Sequence, residues 1–300
     1  MKNAARIISF TVLVLIAFIF INADTNPDKD PKKKNTAETY DIKALKIPRN
    51  LNFAGERIPL KQHDIKERID RELLVNTYWQ SNGLLYFKRA NKYFPVIEPI
   101  LKKHNIPDDF KYLALIESGL QNVTSPAGAK GFWQLMPKTA REYGLEVNEN
   151  VDERYHLEKS TVAACLYLRE AYEKFGNWTM AAAAYNAGKS GISRQVERQK
   201  VNSYYDLLLN AETARYIPRI VSVKEILNNP YKYGFKFEKE DLYTLVPTHT
   251  IKVDTAVSNL ADFAKGQGIN YKELKIHNPW LRENKLNNKS RRLYKIKIPD

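Results

Sequence analysis

Ala181-Ala182-Ala183-Ala184 sits inside an apolar run, residues 177–186, whose small side chains suit a helix pressed closely against its neighbours. A second alanine-rich helix is expected over 160–174, set apart by the breaker Phe175-Gly176. A third, strongly apolar, is expected over 110–120. It is announced by Asn105-Ile106-Pro107-Asp108-Asp109, where a proline and two acids suit a helix N-terminus. Residues 95–229 therefore read as one compact all-α domain. Upstream, Ile69, Leu73, Tyr78 and then Val96, Ile97, Ile100 and Leu101 recur at helical spacing, interrupted at Pro95 and Pro99. This makes 65–94 a helical lead-in. After Asn229-Pro230 the period changes. Alternation around Tyr243, Leu245 and Val246 and through His249-Thr250-Ile251-Lys252-Val253 predicts strand, residues 254–265 and 271–277 two short helices, and Leu293-Tyr294-Lys295-Ile296-Lys297-Ile298 a closing strand. Residues 230–300 thus read as a small β-α-α-β module, and the fold class as mainly α.

The N-terminus bears on location. Lys2 and Arg6 precede residues 7–21, which are uncharged and carry only Ser9 and Thr11 as polar interruptions, followed by Asn22-Ala23-Asp24. This reads as an export signal over 1–23, somewhat short of the roughly 20 residues that span a bilayer. An uncleaved N-terminal membrane anchor is the alternative. No cysteine follows the apolar run, so a lipoprotein anchor is not expected. Residues 24–35 are rich in Lys, Asp, Asn and Pro, and 24–64 is taken as linker and irregular chain. The expected location is the bacterial cell envelope, on its periplasmic side.

The net charge of +14 points to polyanionic partners. Export and the lack of any nucleic-acid-binding motif leave anionic envelope polymers rather than nucleic acid. A hydrophobic content of 43% excludes a disordered chain. Cys165, the single cysteine, excludes a disulfide framework and reads as a small core residue, and the five histidines show no metal-ligand spacing.

Glu117 stands out chemically. On a helix over 110–120 it shares a face with Phe110, Leu113 and Leu120, so an acid interrupts an apolar stripe. Loss of water penalises the ionised form, and a carboxylic acid kept protonated can donate to a leaving group. A helix carboxylate paired with a neighbour is the plainer alternative. Three further stretches accompany it. Ser125-Pro126-Ala127-Gly128-Ala129-Lys130-Gly131 is a turn-rich loop delivering Phe132-Trp133-Gln134, where Trp133 offers a stacking face and Gln134 an amide to a sugar. Tyr185-Asn186-Ala187-Gly188 closes the alanine-rich helix expected over 177–186, and Glu212 and Tyr216 lie one helical turn apart.

Leu115-Ile116-Glu117-Ser118-Gly119, Gly131-Phe132-Trp133-Gln134-Leu135-Met136-Pro137, Ala184-Tyr185-Asn186-Ala187-Gly188 and Glu212-Thr213-Ala214-Arg215-Tyr216-Ile217-Pro218 resemble, in order, the motifs of the soluble lytic transglycosylase family. The layout resembles that family's murein transglycosylase D branch. The resemblance implies a lysozyme-like α-helical domain over 95–229 acting on the glycan strands of peptidoglycan. Glu117 is then the one catalytic acid and base. The acetamido group of N-acetylmuramic acid replaces the second carboxylate that ordinary retaining glycosidases need. No metal or organic cofactor is implied.

By the same resemblance Ser118 and Gln134 hold the acetamido group, Tyr185 and Asn186 shape the sugar-binding wall, Tyr216 orients Glu117, and Glu212 steadies its local helix. Phe132-Trp133 departs from the Leu-Met of many members. Two alternatives stay open: a hydrolytic muramidase of the same fold, similar to goose-type lysozyme, and a silent wall-binding protein. In the tail, Thr250-Ile251-Lys252-Val253-Asp254-Thr255, Leu260-Ala261, Tyr271-Lys272-Glu273-Leu274 and Asn278-Pro279 resemble a diverged LysM module. Val253 stands where a glycine usually precedes the aspartate. Tyr271 and Trp280 either stack on sugars or fill a small core.

Overall fold

A computed structural model describes residues 42–300, so the expectations for the leader and for linker residues 24–41 lie outside the described residues. The remainder of the expected linker is only partly irregular. Asn52–Phe53 (β1) and Glu56–Arg57 (β2) pair as an antiparallel hairpin. Ala54 and Gly55 both turn at positive φ, as a two-residue hairpin loop requires. Leu51, Phe53 and Ile58 are buried in the main core, which corrects the linker reading of 42–64. Strands of two residues are too short to show any period.

His63–Tyr78 (α1) and Gln80–Lys103 (α2) follow. α2 runs straight through Pro95 and Pro99, where the sequence suggested interruption. The prolines are four apart and both exposed, so the hydrogen bonds they forgo lie on the wet side, while Phe94, Ile97 and Leu101 bury the opposite side. Phe110–Ser118 (α3) stops short of Leu120, because Gly119 and Leu120 both adopt the left-handed region at φ 61° and 54°.

Pro137–Glu142 (α4), Leu157–Phe175 (α5), Trp178–Ala187 (α6), Lys189–Gln199 (α7), Ala211–Ala214 (α8) and Tyr216–Asn228 (α9) complete the helical body. α5 and α6 pack on each other through Ala163, Ala164 and the fully buried Ala181, Ala182, Ala183 and Ala184. Cys165 is buried among them. The hairpin reaches across to this layer. Glu56 accepts from the backbone N–H groups of Trp178 (2.6 Å) and Thr179 (2.9 Å), placing a carboxylate at the N-terminus of α6.

The C-terminal module has the expected order. Thr248–Val253 (β3) pairs antiparallel with Tyr294–Pro299 (β4), with Ile251 opposite Ile296, and Leu260–Gly266 (α10) and Tyr271–His277 (α11) lie between. Residues 243–247 are not strand, contrary to their alternation, since no partner strand lies beside them. Trp280 is 3% exposed and stacks on Tyr294, so of its two readings the core one holds, whereas Tyr271 is 37% exposed. Among the described residues no helix is long and apolar enough to cross a membrane.

Candidate active site

Glu117 sits on the last turn of α3, where the left-handed Gly119 ends the helix and leaves the acid at its rim. The helix is otherwise buried on both sides of the acid, at Leu115, Ile116 and Ser118. Loss of water around the carboxyl raises its pKa above the ordinary glutamate range. The hydrogen bond donated by the Tyr216 hydroxyl and the positive charge of Arg219 oppose that rise, and the negative charge of Glu212 adds to it. Tyr216 comes from the first turn of α9, which packs on α3, so its donation to Glu117 Oε1 follows from the helix pairing. The carboxyl is thus favoured as the acid by its surroundings, and its anion still has a donor waiting.

Ser118 ties this helix end to the neighbouring loop. Its hydroxyl lies 2.9 Å from the Phe132 carbonyl and 3.2 Å from that of Ala114. The loop is shaped by narrow bridges, Thr124 with Lys130 and Lys130 with Leu135, and by Gly131 at φ 80° and Gln134 at φ 46°. The amide nitrogen of Gln134 donates to the carbonyls of Gly131 (2.8 Å) and Val123 (3.2 Å), holding the loop closed on itself.

Trp133 requires a correction. It is 0% exposed and its indole N–H donates to Thr161 (2.8 Å), so its ring is a core element and presents no stacking face to a sugar. A large apolar ring one residue from a half-exposed loop amide is drawn inward by the area it can bury. Its carbonyl instead accepts from the Tyr185 hydroxyl at 2.7 Å. Tyr185 is partly exposed at the end of α6, and its own pKa is driven well above normal by burial and by the nearby charge of Glu117.

Asn186 and Glu212 also meet. Asn186 donates to Glu212 Oε1 (3.1 Å) and accepts from Thr213 (2.8 Å), joining the third and fourth motifs. Glu212 is exposed, and its side-chain bond runs across to Asn186 at the end of α6. It also stands on the four-residue α8, separated from Tyr216 by Arg215. The structure therefore brings Glu117, Ser118, Gln134, Tyr185, Asn186, Glu212 and Tyr216 into one connected neighbourhood and sends only the Trp133 ring away from it.

Two groups escaped the sequence reading. Arg219 lies one turn beyond Tyr216 and bears on Glu117 through its charge. Arg154 is buried and donates to the carbonyls of Gly128 (3.0 Å) and Leu135 (3.1 Å) in the motif loop. Arg219 is a charged position inside the apolar-periodic run that starts at Tyr216, and the only hint of Arg154 was an Asp-x-Arg spacing in a polar run.

Residues 94–208 match the transglycosylase SLT domain family. The chain carries an SLT domain. Residues 249–300 match the soluble lytic transglycosylase C-terminal LysM-like domain, so the SLT domain is followed by a LysM-like one. Over 235 residues the chain is 30% identical to the membrane-bound lytic murein transglycosylase D of Escherichia coli K12, covering 75% of this chain and 50% of the relative. The same figures hold for the protein of that name from Escherichia coli O6:H1. The chain spans about half the length of these relatives. It overlays the crystal structure of the 70 kDa soluble lytic transglycosylase of Escherichia coli with a TM-score of 0.40 and 21% identity, over 50% of this chain and 26% of that one.

The Tyr216 bond gives the SLT site a directional test. A donor to the carboxylate favours the charged form, so removing it lets the pKa of Glu117 climb further. In Tyr216→Phe the titration midpoint of the Glu117 carboxyl carbon, followed by NMR, is expected to move to higher pH than in the parent. An unchanged or lower midpoint would show that the hydroxyl does not act on the anion.

Proposed function

We propose that this chain is a peptidoglycan lytic transglycosylase of the cell envelope, with Glu117 as its single acid and base. The observation that carries the reading is the desolvated carboxyl at the rim of α3 with the Tyr216 hydroxyl donating to it, since one group must serve in both protonation states. Protonated Glu117 gives its proton to the oxygen bridging N-acetylmuramic acid and N-acetylglucosamine. As that bond to the anomeric carbon breaks, the muramic acetamido oxygen closes onto the same carbon. The Glu117 carboxylate then takes the proton of the 6-hydroxyl, whose oxygen displaces the acetamido oxygen and forms the 1,6-anhydro ring. No water is consumed and Glu117 ends protonated.

Ser118 supports this reading by tying the loop to α3 and Gln134 by holding that loop closed on itself, and Tyr185 and Asn186 by forming the adjoining wall. We assign the catalytic unit to residues 95–229 and the LysM-like module to 230–300, with an export signal or anchor over 1–23. Excess positive charge favours association with anionic wall polymers.

The test is mass analysis of muropeptides released from purified peptidoglycan by residues 24–300. Products lighter by one water than hydrolytic ones are expected. Reducing-end products would make the protein a muramidase. Glycan binding with no products would make it a wall-binding protein.

A further inference from the structure

We infer that the C-terminal module is a positioning element of the Glu117 site, holding the loop that carries Trp133 and Gln134 through residues 150–156, with Asp152 and Arg154 as the positioning residues. The inference rests on the reaction proposed above for its catalytic consequence, though its structural part stands on the contacts themselves.

Residues 150–156 belong to the helical body by chain order but fold as part of the module. Val151 bridges Leu281 in antiparallel fashion, with Asp152 N–H donating to the Trp280 carbonyl and Arg282 N–H to that of Asn150, both at 2.9 Å. The Asn150 side chain donates to the Lys285 carbonyl and accepts from Asn287 N–H, each at 2.8 Å. Val151 and Tyr155 are buried in the module's own core with Leu281 and Ile296, apart from the main core. The ring of His156 stacks on Trp280 at 5.9 Å. Beside them, Glu146 accepts from Arg292 (2.7 Å) and from the Tyr294 hydroxyl (2.8 Å).

The other side of this segment faces the motif loop. Asp152 holds Arg154 in a two-bond fork, Nε to Oδ1 at 2.9 Å and Nη2 to Oδ2 at 2.7 Å. Arg154 is 3% exposed, and its remaining nitrogen spans the carbonyls of Gly128 and Leu135, the two shoulders of the loop. The Arg154 carbonyl lies so close beneath Gly131 that a Cβ there would approach to 2.0 Å. Tyr155 adds a hydroxyl contact to Thr124 at 3.0 Å. The same loop supplies the Phe132 and Trp133 carbonyls that meet Ser118 and Tyr185. A continuous set of bonds thus runs from the module's buried Trp280 and Leu281 to the residues beside Glu117. Arginine suits the central place because only its planar fork can bind a carboxylate and two carbonyls together.

The test uses the full chain and three variants: Asn150→Ala on the module side, Arg154→Lys on the loop side, and Lys265→Ala on the module's exposed face. Turnover of a short soluble glycan fragment and amide hydrogen exchange are measured for each. In Asn150→Ala and Arg154→Lys, kcat is expected to fall at least about tenfold with KM within about twofold, since misplacement costs the transition state more than the bound ground state. Amides of residues 128–135 should exchange at least about tenfold faster while those of α3 and α6 keep their protection. Lys265→Ala, which removes an exposed side chain of α10, should change neither quantity. Unchanged loop exchange in both positioning variants would overturn the inference, whether or not the parent turns over glycan. So would a rate loss seen as KM alone, because the module would then act by holding substrate, or one matched by Lys265→Ala, because the loss would then not depend on the contacts of residues 150–156. A parent with no turnover, together with faster loop exchange in the two variants, would refute the proposed reaction but keep the mechanical coupling.

Discussion

Glu117→Gln is expected to cut anhydro-product formation by about a thousandfold or more while leaving glycan binding in place. In the proposed reaction the residue is acid in one step and base in the next, and each proton transfer is typically worth about 10² to 10⁴ in rate. Glutamine keeps the volume and can still accept from Tyr216, so the site should retain its shape. The same variant carries a stability signature that a merely damaged site would lack. Burial raises the folded-state pKa of Glu117 above its unfolded value. The stability this group supports is therefore complete below the ordinary carboxyl pKa and is lost as pH rises through the raised value. Glutamine has no charge to bury. The variant should accordingly gain stability over the parent as pH climbs through that window and lose the advantage in acid. Urea midpoints across pH would show it. A parent equally stable relative to Glu117→Gln at every pH would mean that the carboxyl is not desolvated.

Gly131→Ala is expected to be the most damaging change of a single hydrogen to a methyl, at about 4 kcal/mol of stability, within the range of strained or clashing sites. The backbone at Gly131 lies at φ 80°, which alone costs an L-residue about 1–2 kcal/mol. A Cβ there also meets the Arg154 carbonyl oxygen at 2.0 Å, and that carbonyl belongs to a segment bonded on both sides. Gly128 supplies the comparison. It has φ 85° but open space where a Cβ would lie, so Gly128→Ala should cost only about 1 kcal/mol. Denaturant unfolding of the two variants separates conformational cost from collision. Equal losses would show that the loop and residues 150–156 do not press on each other.

Much of the helical body was legible along the chain. The alanine-rich α5 and α6, the breaker between them, the start of α3 and the β-α-α-β order of the module all follow from period and turn chemistry. Glu117 could be singled out for a related reason: an acid on an apolar helix face is a local anomaly, visible within two turns. The sequence misjudged Leu51, Phe53 and Ile58, because a hairpin with two-residue strands has no period to read. It also placed a break at Pro95 and Pro99, where facing both prolines to solvent let α2 continue.

Local order, turn positions and the position of Glu117 on an apolar helix face were written in the chain, because helix periodicity and capping act over a few neighbouring residues. Tertiary structure alone decided that the Trp133 and Trp280 rings pack inward, that Glu56 caps α6, and that Arg154 spans the gap between the module and the motif loop. Those outcomes depend on partners more than a hundred residues away for Glu56 and for Asn150 with Lys285. Only chain folding brings such partners within hydrogen-bond reach, and the energy of burying a ring or a charged fork depends on what the fold places around it.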